Sequence, residues 1–263
     1  MSSTHVIDEF NKERAEEIRQ MGADRSLHES STGWLLAANR AKYSYHFDWL
    51  GRPIIQYPQD IIAMQELIWQ VKPDLVIEMG IAHGGSLIFS ASLLAQLDLI
   101  DAMEQGRPFS APGDVRRRVL GVDIDIRAHN RVEIESHPMA PWIEMIEGSS
   151  TDSKTVDQVW EFASRYKRIL ISLDSNHTHE HVLAELESYA PLTSVGSYCV
   201  VFDTVIDDLP EDMFPDRPWG PGDNPKTAVH EYLKSHDEFV IDSNIDNKLL
   251  ISVAPEGYLR RVR

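Results

Sequence analysis

Cysteine is almost absent from the chain: Cys199 stands alone among 263 residues. One thiol can form neither an internal disulfide nor a cysteine-built zinc site. Its place in the apolar run "SYCVVFD" marks it as a small packing residue. Positive charge is scarce too. Lys and Arg total 25 against 42 Asp and Glu, a formal net charge of −17 at pH 7. Such a surface repels phosphates, so neither nucleic acid nor an anionic membrane is an expected partner. No apolar run reads as long enough to span a bilayer, and "MSSTHVIDEF" lacks the basic and apolar regions of a signal peptide. A cytoplasmic protein is expected. Repeats and low-complexity linkers are missing as well, and the length suits one α/β domain with an extension.

Residues 1–57 read as a helical and aromatic extension: "IDEFNKERAEEIRQM" suits a helix, and "YSYHFDWLGRPIIQYP" is aromatic and irregular. Residues 58–263 read as the catalytic domain, because helix and strand signals alternate from Asp60 onward. "QDIIAMQELIWQV" places Ile61, Met64, Ile68 and Val71 on one helical face, and "DSKTVDQVWEFASRY" does so with Val156, Val159, Trp160 and Ala163. The strands are "DLVIEM", "RVLGVDI", "WIEMIEG", "RILISLD" and "SYCVVFD", with "EFVID" and "KLLISV" closing the chain and 98–116 as an inserted loop. Asn224 and Pro225 open a late helix. The fold class is α/β, Rossmann-like, with a seven-stranded, mostly parallel sheet covered on both faces. Ligands bind such sheets beyond the carboxyl ends of the strands, which here are Glu78, Asp123, Gly148, Asp174 and Asp203.

After the first strand comes "EMGIAHGGS". Gly80, Gly84 and Gly85 allow a tight turn before a helix that opens at Ser86, but Ala82 stands where a dinucleotide site has its middle glycine. That glycine lets a pyrophosphate lie against the backbone. S-adenosylmethionine has no pyrophosphate, and Glu78 suits its ammonium end. Asp123 can accept from both hydroxyls of a ribose. The competing reading of a lone glycine-rich turn is structural; Glu78 and Asp123 beside it favour an adenosyl ligand.

The fourth strand runs into "LDSNHTHEHV" and the fifth into "VFDTVIDD". If these strands are neighbours, Asp174 and Asp203 meet at the sheet edge and form a hard oxygen site suited to magnesium. Such a metal can bind and acidify a substrate hydroxyl. His177 is then placed as general base, since histidine changes charge near neutrality. Other readings remain open. Asp174 could cap the helix near Thr178; His179 and His181 read as solvated; Asp207, Asp208, Glu211, Asp212 and Asp216 read as an exposed acidic loop; and Asp174 with two histidines could hold iron. Tyr45, Trp49 and Trp219 offer flat surfaces for a sugar or fused-ring acceptor, or for packing.

"WLGRPIIQYPQDIIAMQELIWQVKPDLVIEMGIAHGGSLIFSASLL", "LGVDIDIR", "IEGSSTD", "LDSNHTHEHV", "RPWGPGDNPKTAVHEYL" and "KLLISVAPEGYLRR" together resemble the cephalosporin hydroxylase family, from about Trp49 to Arg261. The resemblance implies the S-adenosylmethionine methyltransferase fold and likeness to magnesium-dependent O-methyltransferases of macrolide and rhamnosyl sugars. It implies that Gly80, Gly84, Gly85 and Ser86 hold the methionine end of the cofactor, Asp123 its ribose, and that Gly148 and Ser149 pass near the adenine. It assigns Asp174 and Asp203 to Mg2+ and His177 to proton removal from a small-molecule acceptor. One departure stands out: where such relatives carry an acidic pair, this chain reads Phe202-Asp203, and Thr204, Asp207 or water has to supply the missing oxygen. The family name leaves a hydroxylase or methoxylase component using iron as an alternative, and the Phe202 departure leaves a non-catalytic cofactor-binding partner. A homo-oligomer packed through the lead-in is a further expectation.

Overall fold

The computed structural model describes residues 3–263; Met1 and Ser2, the start of the expected extension, lie outside the described residues. Two helices, α1 (Ser3–Ala23) and α2 (Arg25–Arg40), lead in, followed by a hairpin of β1 (Phe47–Trp49) and β2 (Arg52–Ile54). Then come α3 (Pro58–Val71), β3 (Leu75–Met79), α4 (Gly85–Glu104), β4 (Arg118–Asp123), α5 (Ala128–Glu135), β5 (Ile143–Glu147), α6 (Ser153–Ala163) and β6 (Ile169–Leu173). The chain ends through α7 (His179–Tyr189), β7 (Tyr198–Val201), α8 (Pro225–Tyr232), β8 (Phe239–Ile241), α9 (Ser243–Leu249) and β9 (Tyr258–Arg261).

The seven-stranded sheet has the order β5-β4-β3-β6-β7-β9-β8. Strands β3 to β7 are parallel, and β9 runs antiparallel to both β7 and β8. Two buried clusters lie on its faces. One gathers α3, α4 and the lead-in, and the other gathers α6, α7 and α8. Strands β3 and β6 are buried along their whole length, the pattern of a sheet covered on both sides. Strand order reverses at the β3–β6 pair, so the crevice opens beyond Met79 and Leu173.

Several elements differ from the sequence reading. The stretch expected to be irregular forms the β1–β2 hairpin, joined by Leu50 and Gly51, both at positive φ (47° and 87°). A leucine there conceals the Asn-Gly signal of such a turn. The segment 98–116 is not all loop, because α4 runs to Glu104 and buries Asp98, which bonds Arg117 at 2.7 Å and Trp142 Nε1 at 2.9 Å. By length and composition α4 could cross a bilayer, but 61% of its most apolar stretch is buried inside the protein. The last strand is "YLRR" rather than "KLLISV", whose first two residues end α9, a helix capped by Asp242 and stopped at Leu250 (φ 59°). On α3 the buried side runs through Asp60, Ala63, Met64, Leu67 and Ile68, leaving Ile61 and Val71 at its margins. Trp160 on α6 is exposed and donates to the Ser188 carbonyl at 2.9 Å. The Asn224 cap is present as a full capping box, and Cys199 is buried.

The lead-in is built into the same core. Leu35, Ile54 and Tyr57 share a cluster with Met64, Leu67 and Leu94 from α3 and α4. Pro53 lies so close to the start of α4 that a Cβ on Gly85 would come within 2.1 Å of the Pro53 carbonyl oxygen.

Candidate functional site

At the carboxyl edge of the sheet, β6 and β7 are paired neighbours; Asp174 follows β6 directly, and Asp203 lies two residues beyond β7. His177, on the loop after β6, joins them: one ligand atom from each of Asp174, His177 and Asp203 lies within 4.8 Å of the others. His177 Nε2 is 3.1 Å from Asp203 Oδ2. The Trp219 ring stands edge-on to the imidazole at 5.4 Å, backed by Phe214 at 5.1 Å. Asp203 takes a left-handed backbone (φ 57°), a conformation that aspartate tolerates better than most residues other than glycine.

Asp174 does not cap α7, whose N-cap Thr178 has no side-chain capping bond. Its carboxyl is held well above the usual carboxylate range, first by burial and then by the charges of Asp203, Glu78, Glu185 and Asp60. A divalent cation would offset that excess of negative charge, and the two carboxylates, with water completing the shell, are a donor set that suits one and leaves the neighbouring imidazole free. The residues therefore fit a metal. They fit it with fewer oxygens than expected, because Phe202 is buried with 4% exposure. The two replacements foreseen from sequence are engaged elsewhere. Thr204 is buried and donates to the Pro255 carbonyl at 2.7 Å, and Asp207 accepts from Gly222 N at 2.9 Å and Asn224 Nδ2 at 2.7 Å. Water is the remaining source.

The glycine turn sits across the crevice. Gly80 (φ 95°) packs on the Asp174 backbone so tightly that a Cβ would lie 2.1 Å from the Asp174 carbonyl oxygen. Ala82 is left-handed as well (φ 46°), and Gly84 precedes α4. Asp123 accepts from the turn, with Oδ2 2.8 Å from Ile81 N and 3.3 Å from Ala82 N. Gly148 and Ser149 follow β5, with Gly148 N donating to the Asp123 carbonyl at 2.8 Å. These residues thus line one edge, from the turn through Asp123 to the loop after β5.

Glu78 lies deeper than its sequence role requires. It is 4% exposed within β3, accepts a hydrogen bond from the Ser86 hydroxyl, and lines an inner cavity rather than the mouth of the turn. Burial pushes its carboxyl up from 4.5 to about 8, against the lowering effect of Ser86. Between those values the folded chain holds a proton that the unfolded chain has lost. This group's contribution to stability therefore falls by about 1.4 kcal/mol per pH unit as pH rises. Glu78→Gln is expected to remove that slope, so that melting temperatures at pH 6 and pH 8 lie closer together than in the wild type. An equal drop in both proteins would show Glu78 ionised in the fold.

Sequence reasoning missed four contributors. Gln56 donates to Asp174 Oδ2 at 3.2 Å, and Arg52 donates to the His83 carbonyl (2.6 and 3.0 Å) and to Asn130 (3.0 Å), clamping the turn. Asn130 Nδ2 donates to the Ala82 carbonyl at 2.8 Å. Asp60, raised to about 6 chiefly by burial, accepts from Ser252, Val253 N and Tyr258 and anchors the C-terminal segment beneath the site. Only the placement of Arg52 and Gln56 beside conspicuous aromatics could have drawn attention to those two.

The histidines expected to be solvated are engaged. His179 Nδ1 lies 2.8 Å from Thr227 Oγ1, and His181 Nε2 lies within 3.2 Å of Ser150, Ser175 and the buried Glu185. The expected acidic loop is also partly fixed, since Asp208 pairs with Lys226 at 2.5 Å. Among the proposed acceptor-facing aromatics, Trp219 reaches the cluster. Trp49 instead packs edge-on to Phe89 at 4.9 Å and donates to Ser92 at 3.0 Å, while Tyr45 is 57% exposed; neither lines either cavity.

A glycine turn after β3, an acidic end to β4 and an acid–histidine cluster beside the switch point define a Rossmann-like α/β protein of the methyltransferase type. The chain belongs to the rhamnosyl O-methyltransferase/CmcI family, whose sequence model matches residues 41–262. The rhamnosyl O-methyltransferases of Mycobacterium tuberculosis and Mycobacterium bovis are each 33% identical to it over 204 residues, covering 77% of this chain and 73% of theirs. That of Mycobacterium leprae is 28% identical over 215 residues, 81% of this chain and 82% of its own. Among solved structures, CmcI with magnesium and S-adenosylmethionine shares the fold with a TM-score of 0.53 at 18% identity, covering 83% of this chain and 78% of the other. The CmcI apo structure gives 0.54 at 18%, with 83% and 77% covered.

Proposed function

We propose that the protein is an S-adenosylmethionine-dependent, magnesium-assisted O-methyltransferase acting on a hydroxyl of a sugar carried by a small molecule or glycolipid. The observation that carries this reading is the convergence of Asp174, His177 and Asp203 beside a glycine turn at the switch point. Family membership and the rhamnosyl O-methyltransferase relatives support the sugar as acceptor. When bound, S-adenosylmethionine supplies an electrophilic methyl group and magnesium polarises the hydroxyl that receives it.

The chain's own residues would do the following. Asp174 and Asp203 hold the metal, and the first turn of α4 faces the carboxylate of the methionine end with its free N–H groups. Asp123 and the Gly148–Ser149 loop lie along the expected path of ribose and adenine. Asp203 orients the imidazole through Nε2. With the proton on Nε2, Nδ1 keeps its lone pair and is the atom able to take the acceptor's proton. Trp219 presents a flat wall for a sugar ring beside that base. Residues 1–57 work in this reading as part of one unit with 58–263. It also includes work in the cytoplasm, and a homo-oligomer supported by the exposed Val6, Ile7 and Phe10 on α1.

The test is methyl transfer from labelled S-adenosylmethionine to rhamnosylated acceptors with and without Mg2+, together with calorimetry of S-adenosylhomocysteine. Label in the sugar, dependent on the metal, is the expected result. Absence of nucleoside binding would end the proposal.

A further inference from the structure

Gln56 belongs to the link between the hairpin and α3, one residue inside the segment that reads from sequence as an extension. It is one of three residues, with Ser86 and Asp174, that line both cavities of the crevice: the inner one, of about 20 Å³, and the one at the glycine turn, of about 40 Å³. Its amide nitrogen is 3.2 Å from Asp174 Oδ2. The amide donates through that nitrogen, which turns its oxygen away from Asp174. That oxygen, Oε1, is buried and has no hydrogen-bond partner among the described residues, on a side chain only 7% exposed. A buried acceptor without a donor is costly unless a ligand supplies the donor.

We infer that Gln56 is a positioning and ligand-binding residue: its amide nitrogen fixes Asp174, and its carbonyl oxygen accepts a hydrogen bond from the ammonium of an amino-acid group bound at the glycine turn. The inference rests on the methyltransferase reading and adds a residue to it. Glu78, the acceptor that sequence suggests for the ammonium, lines only the inner cavity and is bonded by Ser86. Gln56 lines the turn cavity itself, facing the N-terminus of α4. A zwitterion there would have its carboxylate toward the helix N–H groups and its ammonium toward Gln56.

Two nucleosides separate the amino-acid end from the rest. S-adenosylhomocysteine carries it, and 5′-methylthioadenosine does not. By calorimetry, Gln56→Met is expected to weaken S-adenosylhomocysteine by about tenfold or more while leaving 5′-methylthioadenosine within about twofold. Mn2+ affinity, followed by electron paramagnetic resonance, is expected to fall by about tenfold as Asp174 loses its orienting bond. Gln56→Glu keeps the acceptor in nearly the same shape and should hold S-adenosylhomocysteine within about threefold of wild type, while Mn2+ affinity falls as in Gln56→Met because a second acid then faces Asp174; it also serves if the methionine variant fails to fold. Equal losses for both nucleosides, or a Gln56→Glu loss of S-adenosylhomocysteine affinity as large as that of Gln56→Met, would overturn the inference. So would unchanged affinities in a folded Gln56→Met protein that still methylates sugars, and that outcome leaves the methyltransferase reading intact. If the wild type binds neither nucleoside, the methyltransferase reading fails first and takes this one with it.

Discussion

His177→Ala is expected to lower kcat for sugar methylation by about 10²–10⁴-fold, the usual contribution of a positioned general base. S-adenosylhomocysteine affinity should stay close to wild type, because His177 lines neither cavity at the glycine turn. The side chain is held from two directions, by Asp203 at 3.1 Å and by the edge-on Trp219 ring. Removing it leaves both neighbours in place, so the defect should fall on kcat rather than on nucleoside binding. Steady-state kinetics at saturating cofactor, paired with calorimetry, reads this directly. A fall of less than about tenfold would assign proton removal to another group or to solvent.

Asp174→Asn is expected to produce two effects of opposite sign. Divalent-cation affinity should drop by about a hundredfold or more, as one of the two carboxylates that converge with His177 among the described residues is lost. Without metal, the same variant should melt at a higher temperature than wild type above neutral pH. Asp174 is half-buried and faces the charges of Asp203, Glu78, Glu185 and Asp60, and a neutral amide of the same shape escapes that repulsion while still accepting from Gln56. Asp203→Asn should show the same loss of metal with a smaller gain in stability, since its side chain is one-third exposed. Calorimetry with Mg2+ and thermal melts with and without chelator distinguish these outcomes. Unchanged metal affinity in Asp174→Asn would place the cation elsewhere.

The residues that sequence revealed are those whose position follows from chain order alone. Asp123 ends a strand, Asp174 directly follows one and Asp203 lies two residues beyond one, and a parallel sheet delivers strand ends to one edge whatever the details of packing. Glu78 follows the same rule in sequence but not in depth, because its side chain is buried within β3 and points to the inner cavity. Asp60 and Gln56 were hidden for a different reason. Both are polar residues beside apolar stretches that announce only a helix, and their partners lie 192 and 118 residues away. The closing strand differs because "LLISV" has β-like composition, while "YLRR" enters the sheet between β7 and β8 with Tyr258 and Leu259 buried.

The hairpin before α3 also limits how this protein can be taken apart or recombined. Cutting at residue 58 would free the Pro53 contact that only a glycine at 85 tolerates, and it would remove both the Arg52 clamp and the Gln56 amide. The segment from Arg52 to Gln56 cannot therefore be removed or exchanged for that of a relative as an independent module. A chimera will keep its cofactor end only if the donor segment brings its own arginine and glutamine to the same two places. Acceptor preference is freer to travel, since Trp219 arrives on a separate surface loop that meets the centre only at His177 and the residues around it.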